Sequence, residues 1–360
     1  MNPPGPPDGT NTPAGAEDKK ANEETDLEAA KIKWGAFNHK ELSARIQKVR
    51  ADKFIIDGLL PVRSIGIAVG RSGLGKSPLL YQMCACVASA RPFLGHTVPE
   101  KGRVLYIDYE NSLQDTESVA LAVSRHIGLS EVPVNFILKN INDAPFEHRG
   151  AQLDMIRDIK PDLVILDPVS AAYKKFETAT EESREVYSDL RDLWKDVNCS
   201  VMLVAHPRKP DSDVRKAPIS LEEAEHPQDW FAITRGASAI IDGADVRLGL
   251  DFASKKSGAD LIMRGYVRAR GTTPTYYLQR VFDKQEYPLG YSRMANSALF
   301  GNAKWQTGFD ELPSHFTFTE AHKALGGNSK DSTSKFVKKG QDIGLIRKLG
   351  TGAGYEKIPY

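Results

Sequence analysis

Short apolar runs alternate with longer amphipathic stretches between residues 64 and 250. Four runs are apolar on both faces, which predicts strands covered on both sides of a sheet, at 64–69, 104–108, 163–166 and 201–205. Further strands are predicted at 245–250, 261–269 and 276–281. Because helical stretches separate the first strands, the pattern predicts an α/β domain with a mainly parallel sheet over residues 54–282.

The flanking segments differ in composition from this domain. Residues 1–26 are rich in Pro, Gly and acidic side chains and almost without apolar ones, which predicts a disordered tail. Residues 27–53 carry apolar side chains at helical spacing and are predicted to be a helical lead-in. Residues 283–313 are mixed in character and punctuated by glycine, so we predict a linker there.

Residues 314–360 predict a small second domain. A helix capped by Thr319 over 320–325, a Gly-rich turn, a second helix over 331–343 and two short strands around a Gly-rich tip are typical of a winged helix-turn-helix. In this arrangement Phe336 and Ile343 pack inward. The lysines expected on the outer face are Lys335, Lys338 and Lys339. They favour binding of duplex DNA or RNA, while a protein-docking winged helix is the alternative.

Composition narrows the class of protein. The chain has 360 residues and a net charge of +1, so a nucleic-acid surface would have to be a local basic patch. Its three cysteines, Cys84, Cys86 and Cys199, have no metal-binding spacing and are expected to be buried thiols. No apolar run is long enough to span a membrane. We therefore expect a soluble, cytoplasmic protein without membrane contact.

A glycine-rich motif lies between the first predicted strand and a predicted helix. It fits G-x-x-x-x-G-K-[ST] and consists of Gly70, Arg71, Ser72, Gly73, Leu74, Gly75, Lys76 and Ser77. Glycines let backbone N–H groups close around phosphate, and the helix N-terminus adds partial positive charge. Lys76 is expected at the β and γ phosphates, and Ser77 is expected to bind Mg²⁺. The motif predicts ATP and Mg²⁺ as the cofactors.

Three further strands bring polar side chains to the same edge of the sheet. Asp167 ends an apolar strand in the manner of a carboxylate that holds Mg²⁺, although it could simply cap the turn before a proline. Asp108 and Glu110 follow another strand, and we choose Glu110 as the general base, with a helix-start role as its alternative. His206 follows a fourth strand and is either a sensor of the γ-phosphate or a structural residue.

The order of these motifs, followed by R-G-A-S-A-I-I-D-G-A-D at 235–245, resembles the RepA-like hexameric replicative helicases, RecA-type P-loop ATPases often labelled AAA. The resemblance covers about residues 54–282. It implies a RecA-like core, a homo-hexameric ring on single-stranded DNA, and ATP sites completed by a neighbour's arginine. By position Arg270 is then the finger, with Arg268 in place of the usual lysine, a solvated strand edge as the alternative, and Arg264 and Arg247 as rivals.

The loop over 207–229 lies, in such rings, beside the central channel. It carries four basic residues, Arg208, Lys209, Arg215 and Lys216, together with several acidic ones, so DNA contact and a plain solvated loop are both open. Our leading hypothesis is an ATP-hydrolysing DNA helicase or replication-associated motor of a plasmid or phage type. The alternatives are an ATP-switched DNA-binding replication or regulatory factor without unwinding activity, and a recombinase or mediator ATPase on single-stranded DNA.

Overall fold

The computed structural model describes residues 25–48, 54–148, 150–174, 176, 180–207, 220–232, 238–255, 257–268, 271–273, 275–283, 288–327, 329–342, 345–349 and 354–357. The chain divides into two units, residues 1–53 and 54–360. The first unit contains two helices, α1 over residues 25–34 and α2 over His39–Lys48. Lys31 of α1 is paired with Glu28 and with Glu41 of α2, so the two helices are tied together by charge.

The second unit is built on a ten-stranded sheet. Before this sheet the chain forms a separate two-stranded pair, β1 Phe54–Ile56 and β2 Leu60–Pro61. The ten strands of the sheet are β3 Ile65–Gly70, β4 Val104–Asp108, β5 Phe136–Asn140, β6 Leu163–Asp167, β7 Ser200–Ala205, β8 Val246–Phe252, β9 Leu261–Val267, β10 Gly271–Thr272, β11 Tyr276–Phe282 and β12 Pro288–Arg293. The order in the sheet is β12-β11-β9-β8-β3-β7-β6-β4-β5, with β10 paired to β9. Strands β3 to β8 are parallel, and β9 to β12 are antiparallel additions. The prediction of an α/β fold with a mainly parallel sheet is confirmed.

Helices cover both faces of the parallel part. They are α3 Lys76–Ser89, α4 Leu113–His126, α5 Ala151–Ile159, α6 Val169–Ala172, α7 Thr180–Asp192, α8 Pro227–Phe231 and α9 Ser238–Gly243. Alternate residues of β3 enter different cores: Ala68 packs with α3 and α4, whereas Ile67 and Val69 pack with α5 and α7. This two-sided burial is why the strands lack polar alternation.

Strand β5 was not among the predicted strands. It lies at the end of the sheet and pairs with β4 only, and its interior residues are half-buried. Its sequence F-I-L-K-N carries Lys139 and Asn140, which interrupt the apolar run. An edge strand buries less of its surface than a central one, so the periodic signal that identified the other strands is weaker there.

The C-terminal part forms a small layered module. After a 3₁₀ helix at Asn296–Phe300 come α10 Ala303–Glu311, β13 His315–Phe316, α11 Phe318–Ala324, α12 Lys330–Asp342, β14 Ile346–Lys348 and β15 Tyr355–Lys357. The three strands form an antiparallel sheet in the order β13-β15-β14. Phe336 is fully buried against Phe300, while Ile343 lies outside the described residues.

Two details of this region differ from the sequence interpretation. The cap of α11 is Thr317 rather than Thr319, because Glu320 stands at the third helical position and completes a capping box with Thr317. Residues 283–313 were predicted to be a linker, yet they contain β12, which joins the main sheet, and α10, which packs in the C-terminal core. Strand β12 is short and contains proline and glycine, so its sequence carries no strand signal.

Candidate functional site

The glycine-rich motif, here called the phosphate loop (residues 70–77), connects β3 to α3 at the carboxyl edge of the parallel strands. Gly73 and Gly75 have φ angles of 74° and 98°, in the left-handed region that favours glycine. Helix α3 begins at Lys76, so its first turn faces the loop. The loop therefore has the backbone conformation and the helix N-terminus that a phosphate requires.

Lys76 occupies the centre of this edge. Its side chain is 7% exposed, and its Nζ donates to the carbonyl of Arg71 at 3.0 Å and lies 3.1 Å from Nδ1 of His206. Burial lowers the pKa of Lys76, while the carboxylates of Asp167 and Glu110 act in the opposite direction. The structure thus brings together four of the predicted residues, since Lys76 interacts with His206, Asp167 and Glu110.

Asp167 ends β6 beside the phosphate loop and is 4% exposed. The hydroxyls of Tyr106 and Ser77 both donate to its carboxylate. Burial nevertheless raises the pKa of Asp167, because its charge is taken out of water. A buried carboxylate in contact with a serine hydroxyl fits a divalent cation of the Mg²⁺ type, which takes few protein oxygens and completes its shell with water and phosphate.

Within the described part of the chain, no group of three or more His, Cys, Asp or Glu side chains is arranged to hold a metal ion. At a phosphate loop the nucleotide itself supplies some of the ligands of Mg²⁺. The two residues that fit the ion are Ser77 and Asp167.

Asp108 and Glu110 have different surroundings although both follow β4. Asp108 is fully buried, and its carboxylate accepts hydrogen bonds from the side chains of Tyr81, Asn111 and Thr116 and from the backbone N–H groups of Glu110 and Asn111. Glu110 is exposed at the edge that holds Lys76. Asp108 therefore shapes the turn, and Glu110 is the carboxylate of this pair that can meet a water molecule.

Other residues at this edge were not predicted from the sequence. Asp251, the last residue but one of β8, is 2% exposed, and its carboxylate lies 3.8 Å from Nε of Arg71, a residue of the phosphate loop. Tyr291 of β12 and Arg280 of β11 contact the outer side of the loop at Gly75 and Leu74. Asp251 had a detectable signal, because it follows an apolar run at the same edge, whereas Tyr291 and Arg280 had none.

Two arginines of this group have local partners: Arg268, which stands in place of the usual lysine, and Arg264, one of the two rivals for the finger. Arg268 pairs with Asp245 at 2.9 Å, beside the amino end of β8 and hence at the opposite edge of the sheet. Arg264 donates to the carbonyls of Leu221 and Ala224 at 2.8 and 2.6 Å.

The other rival, Arg247, and the leading candidate, Arg270, complete this group. Arg247 is half-buried over the ring of Tyr266, with its cationic carbon 5.4 Å from the ring centre, and burial lowers its pKa. Arg270 lies outside the described residues, between Arg268 and Gly271. Gly271, the next described residue, pairs with Val267 at that opposite edge.

The basic half of the 207–229 loop, residues 208–219, also lies outside the described residues, and so do residues 233–237, which include Arg235. The part described, 220–229, carries acidic side chains. Glu222 accepts hydrogen bonds from Ser254 and from the hydroxyl of Tyr277, which ties this segment to the sheet. All three cysteines are buried, as expected.

Comparison with known proteins agrees with this geometry. Residues 37–212 match the family model of the AAA domain, and this stretch contains the phosphate loop, both carboxylate strands and His206. A mainly parallel α/β sheet with a phosphate loop after a central strand is the architecture that the resemblance to RecA-like P-loop ATPases implies. The match ends before β8, so the antiparallel strands and the C-terminal module lie beyond it.

One solved structure with a similar fold is a KaiC-like protein from the hyperthermophilic archaeon Pyrococcus horikoshii. It is 12% identical, with a TM-score of 0.42, over 67% of this chain and 94% of that chain. No curated protein matches the sequence. Among the helices in the described ranges, none is both long and apolar enough to cross a membrane.

Proposed function

We propose that this P-loop ATPase fold binds ATP with Mg²⁺ at the phosphate loop and hydrolyses it. The observation that carries the proposal is the convergence of Lys76, Ser77, Asp167 and Glu110 at one edge of the sheet. Ser77 and Asp167 would hold Mg²⁺, which when bound neutralises phosphate charge. Lys76 supplies a buried positive charge to the β and γ phosphates, where low solvent exposure strengthens the interaction.

Glu110 acts in this proposal as the general base that orients the attacking water. Phosphoryl transfer depends mainly on positioning and charge stabilisation, so one carboxylate beside the γ-phosphate is sufficient for that role. Asp108 supports it by holding the backbone N–H of Glu110 at 3.0 Å, which sets where the Glu110 side chain starts.

His206 is proposed to respond to the γ-phosphate through Lys76. The Lys76 ammonium donates toward Nδ1 of His206 at 3.1 Å. A bound γ-phosphate competes for the same ammonium and would release the imidazole. Because the loop beginning at Pro207 directly follows His206, the release can be passed to that loop.

The test of the nucleotide proposal uses Lys76→Ala. Equilibrium binding of ATP with Mg²⁺ and phosphate release are measured on the full chain. We expect wild-type protein to bind and hydrolyse ATP, and the variant to lose at least about tenfold in affinity because a buried charge-assisted contact is gone. Equal binding by both proteins would refute a nucleotide site at this loop.

We further propose that the protein is a ring-forming, homo-hexameric DNA motor of the plasmid or phage helicase type. Support comes from the resemblance of residues 54–282 and from the location of the arginine strand. Strand β3 has six residues, so its two ends are about 16 Å apart. Arg268 lies at the far edge, too distant for its own phosphate loop, and in a ring an arginine from this edge would serve the site of a neighbouring subunit.

The C-terminal module is proposed to be a winged helix that binds duplex DNA. Its order of helices and its three-stranded antiparallel sheet support this assignment. The α12 lysines also support it, since Lys335 and Lys338 are exposed and Lys339 is half-buried. Exposed ammonium groups on one helix can neutralise successive phosphates without a built pocket.

One experiment separates the motor from its alternatives. ATP hydrolysis is measured with and without single-stranded DNA, alongside particle mass by light scattering and strand separation on a forked duplex. A motor is expected to show DNA-stimulated turnover, a mass of about six subunits and unwinding. Turnover without unwinding would favour an ATP-switched replication or regulatory factor, and open filaments would favour a recombinase or mediator. A monomer whose turnover ignores DNA would refute the motor.

A further inference from the structure

The outer side of the phosphate loop is covered by the hairpin of β11 and β12. Arg280 and Tyr291 are directly opposite each other on these strands. The Tyr291 hydroxyl donates to the carbonyl of Gly75 at 3.0 Å, and Nη2 of Arg280 donates to the carbonyl of Leu74 at 3.3 Å. Two consecutive carbonyls of the loop therefore receive donors from a strand pair more than 200 residues away along the chain.

The two hairpin side chains also interact with each other. Arg280 forms a hydrogen bond with the Tyr291 hydroxyl. Because a guanidinium can only donate, the hydroxyl oxygen accepts from Arg280 and its proton is directed to Gly75. Tyr291 is 4% exposed, so water does not readily replace this contact.

The backbone of Tyr291 is held as firmly as its hydroxyl. Gln82 of α3 accepts from the Tyr291 N–H at 2.7 Å and donates to its carbonyl at 2.8 Å, and His126 of α4 contacts the same carbonyl at 3.0 Å. Helix α3 is the one that begins in the phosphate loop. The strand, the helix and the loop are therefore tied into one assembly through Tyr291.

Gly75 is required by this contact as well as by its backbone angle. A Cβ on Gly75 would lie 1.9 Å from the Tyr291 hydroxyl, a separation that atoms cannot adopt. The close approach brings the hydroxyl against the peptide that links Gly75 to Lys76. A larger residue at 75 would displace either the ring or the loop.

The direction of these carbonyls determines the direction of the adjacent N–H groups. In a planar trans peptide the C=O and the following N–H point to opposite sides. The Gly75 carbonyl also accepts from the Leu79 N–H of α3 at 3.3 Å, so Tyr291 and the helix share this acceptor. Donors on the Leu74 and Gly75 carbonyls therefore favour the N–H groups of Gly75 and Lys76 facing away from the hairpin. We propose that Arg280 and Tyr291 are positioning residues for the phosphate loop, which orient its N–H groups for nucleotide phosphate without touching the nucleotide.

This inference rests on the proposed nucleotide site, and its test separates the two. Equilibrium binding of a fluorescent ATP analogue with Mg²⁺ and steady-state ATP hydrolysis are measured on full-length wild type, Tyr291→Phe, Arg280→Met and Arg280→Lys. Tyr277→Phe is the matched control, since its hydroxyl lies on the same hairpin but donates to Glu222 at 3.0 Å. Lys76→Ala reports on the nucleotide site itself.

We expect Tyr291→Phe and Arg280→Met to raise Kd and KM about three- to tenfold, the effect of one lost hydrogen bond, with kcat at saturating ATP changed less than about twofold. Arg280→Lys should lie between Arg280→Met and wild type, and Tyr277→Phe should match wild type. The double variant Tyr291→Phe/Arg280→Met should lose less than the product of the single effects, because both act on one hydroxyl.

The outcomes that contradict the proposal are distinct. If Lys76→Ala loses binding while Tyr291→Phe and Arg280→Met both bind like wild type, the positioning role is wrong and the nucleotide site stands. If Lys76→Ala binds like wild type, the nucleotide site fails and the positioning role fails with it. Thermal unfolding identifies a misfolded variant. If Tyr291→Phe does not fold, Arg280→Met tests the positioning role, because Arg280 is only half-buried.

Discussion

Two regions of the molecule hold charged side chains in different surroundings. One is the edge of the sheet with the phosphate loop, here called the nucleotide edge after its proposed role, and the other is helix α12 of the C-terminal module. At the nucleotide edge Lys76, Asp108 and Asp167 are buried and bonded to neighbouring side chains or to the backbone. On α12, Lys335 is exposed and makes a solvated pair with Asp331 at 2.7 Å. A site that acts on a bond needs desolvated, oriented charges, whereas a surface for a polyanion needs only their number and sign.

The largest expected effect is a loss of ATP turnover when the Glu110 carboxylate at the nucleotide edge is removed. Glu110→Gln removes the proposed base without changing its size, so ATP turnover should fall about 100-fold or more while ATP affinity is kept. Turnover is measured by phosphate release and affinity by direct binding. Retained turnover would move the base to another residue.

Asp108→Asn makes the matched comparison at the second carboxylate of the same turn. Because Asp108 accepts hydrogen bonds from Tyr81, Thr116 and Asn111, its loss should lower the free energy of unfolding by about 2–4 kcal/mol. Chemical denaturation measures this change. Unchanged stability with lost turnover would reverse the roles given to Asp108 and Glu110.

The next effect concerns the metal. Asp167→Asn keeps the shape of the side chain but removes the charge that Mg²⁺ requires, so the Mg²⁺ concentration for half-maximal hydrolysis should rise about tenfold or more. Chelation of Mg²⁺ should stop hydrolysis by wild type. An unchanged Mg²⁺ requirement would contradict the assignment of Asp167 as a ligand, and Tyr106→Phe, which removes only a hydrogen bond to Asp167, is the control for local disturbance.

A smaller effect is expected on α12. Lys335→Ala with Lys338→Ala should weaken duplex DNA binding several-fold at low salt and reduce the slope of log affinity against log salt by about 2, since two phosphate contacts are lost. ATP turnover without DNA should not change. Lys195→Ala, which removes an exposed, ion-paired lysine of the ATPase fold, is the charge control. Equal losses in both variants would mean that α12 has no special role.

The smallest effect is local to the module. Thr317→Ala removes the cap of α11, so amide hydrogen exchange over Phe318–Ala324 should become about fivefold faster. The capping hydrogen bonds lower the pKa of Glu320. A lowered carboxyl pKa contributes stability above the ordinary value of 4.5, and that stability is lost as the pH falls through the lowered pKa. Protection factors, which correct for the pH dependence of intrinsic exchange, should therefore change more between pH 7 and pH 4 in wild type than in the variant.

The residues of the proposed nucleotide site could be assigned to one edge of the sheet from the sequence because their signals are local. The phosphate loop is eight consecutive residues, and Asp167 and Glu110 follow apolar strands whose ends meet at one edge in any parallel sheet. The choice between Asp108 and Glu110 was less secure, since spacing places both at that edge. Only burial and hydrogen bonding separated a structural carboxylate from an accessible one.

Contacts between distant segments could not be predicted. Strand β12 has no strand pattern, and nothing near Tyr291 in the chain indicates that its hydroxyl reaches Gly75. The Tyr291 contact depends on which acceptor its hydroxyl meets after packing. The cap of α11 is a different case, because the spacing of Thr317 and Glu320 is a local capping box that the sequence alone contains.

The amino-acid sequence by itself determined the α/β architecture of this protein and the gathering of the phosphate loop, Asp167 and Glu110 at its carboxyl edge, because periodic burial and a contiguous phosphate loop are encoded within short windows. Tertiary structure alone decided that Asp108 is buried while Glu110 is exposed, and which edge of the sheet holds Arg268. It also decided that the remote Tyr291 contacts the phosphate loop. These properties arise from pairing across the sheet, where the free energy depends on partners that no local window contains.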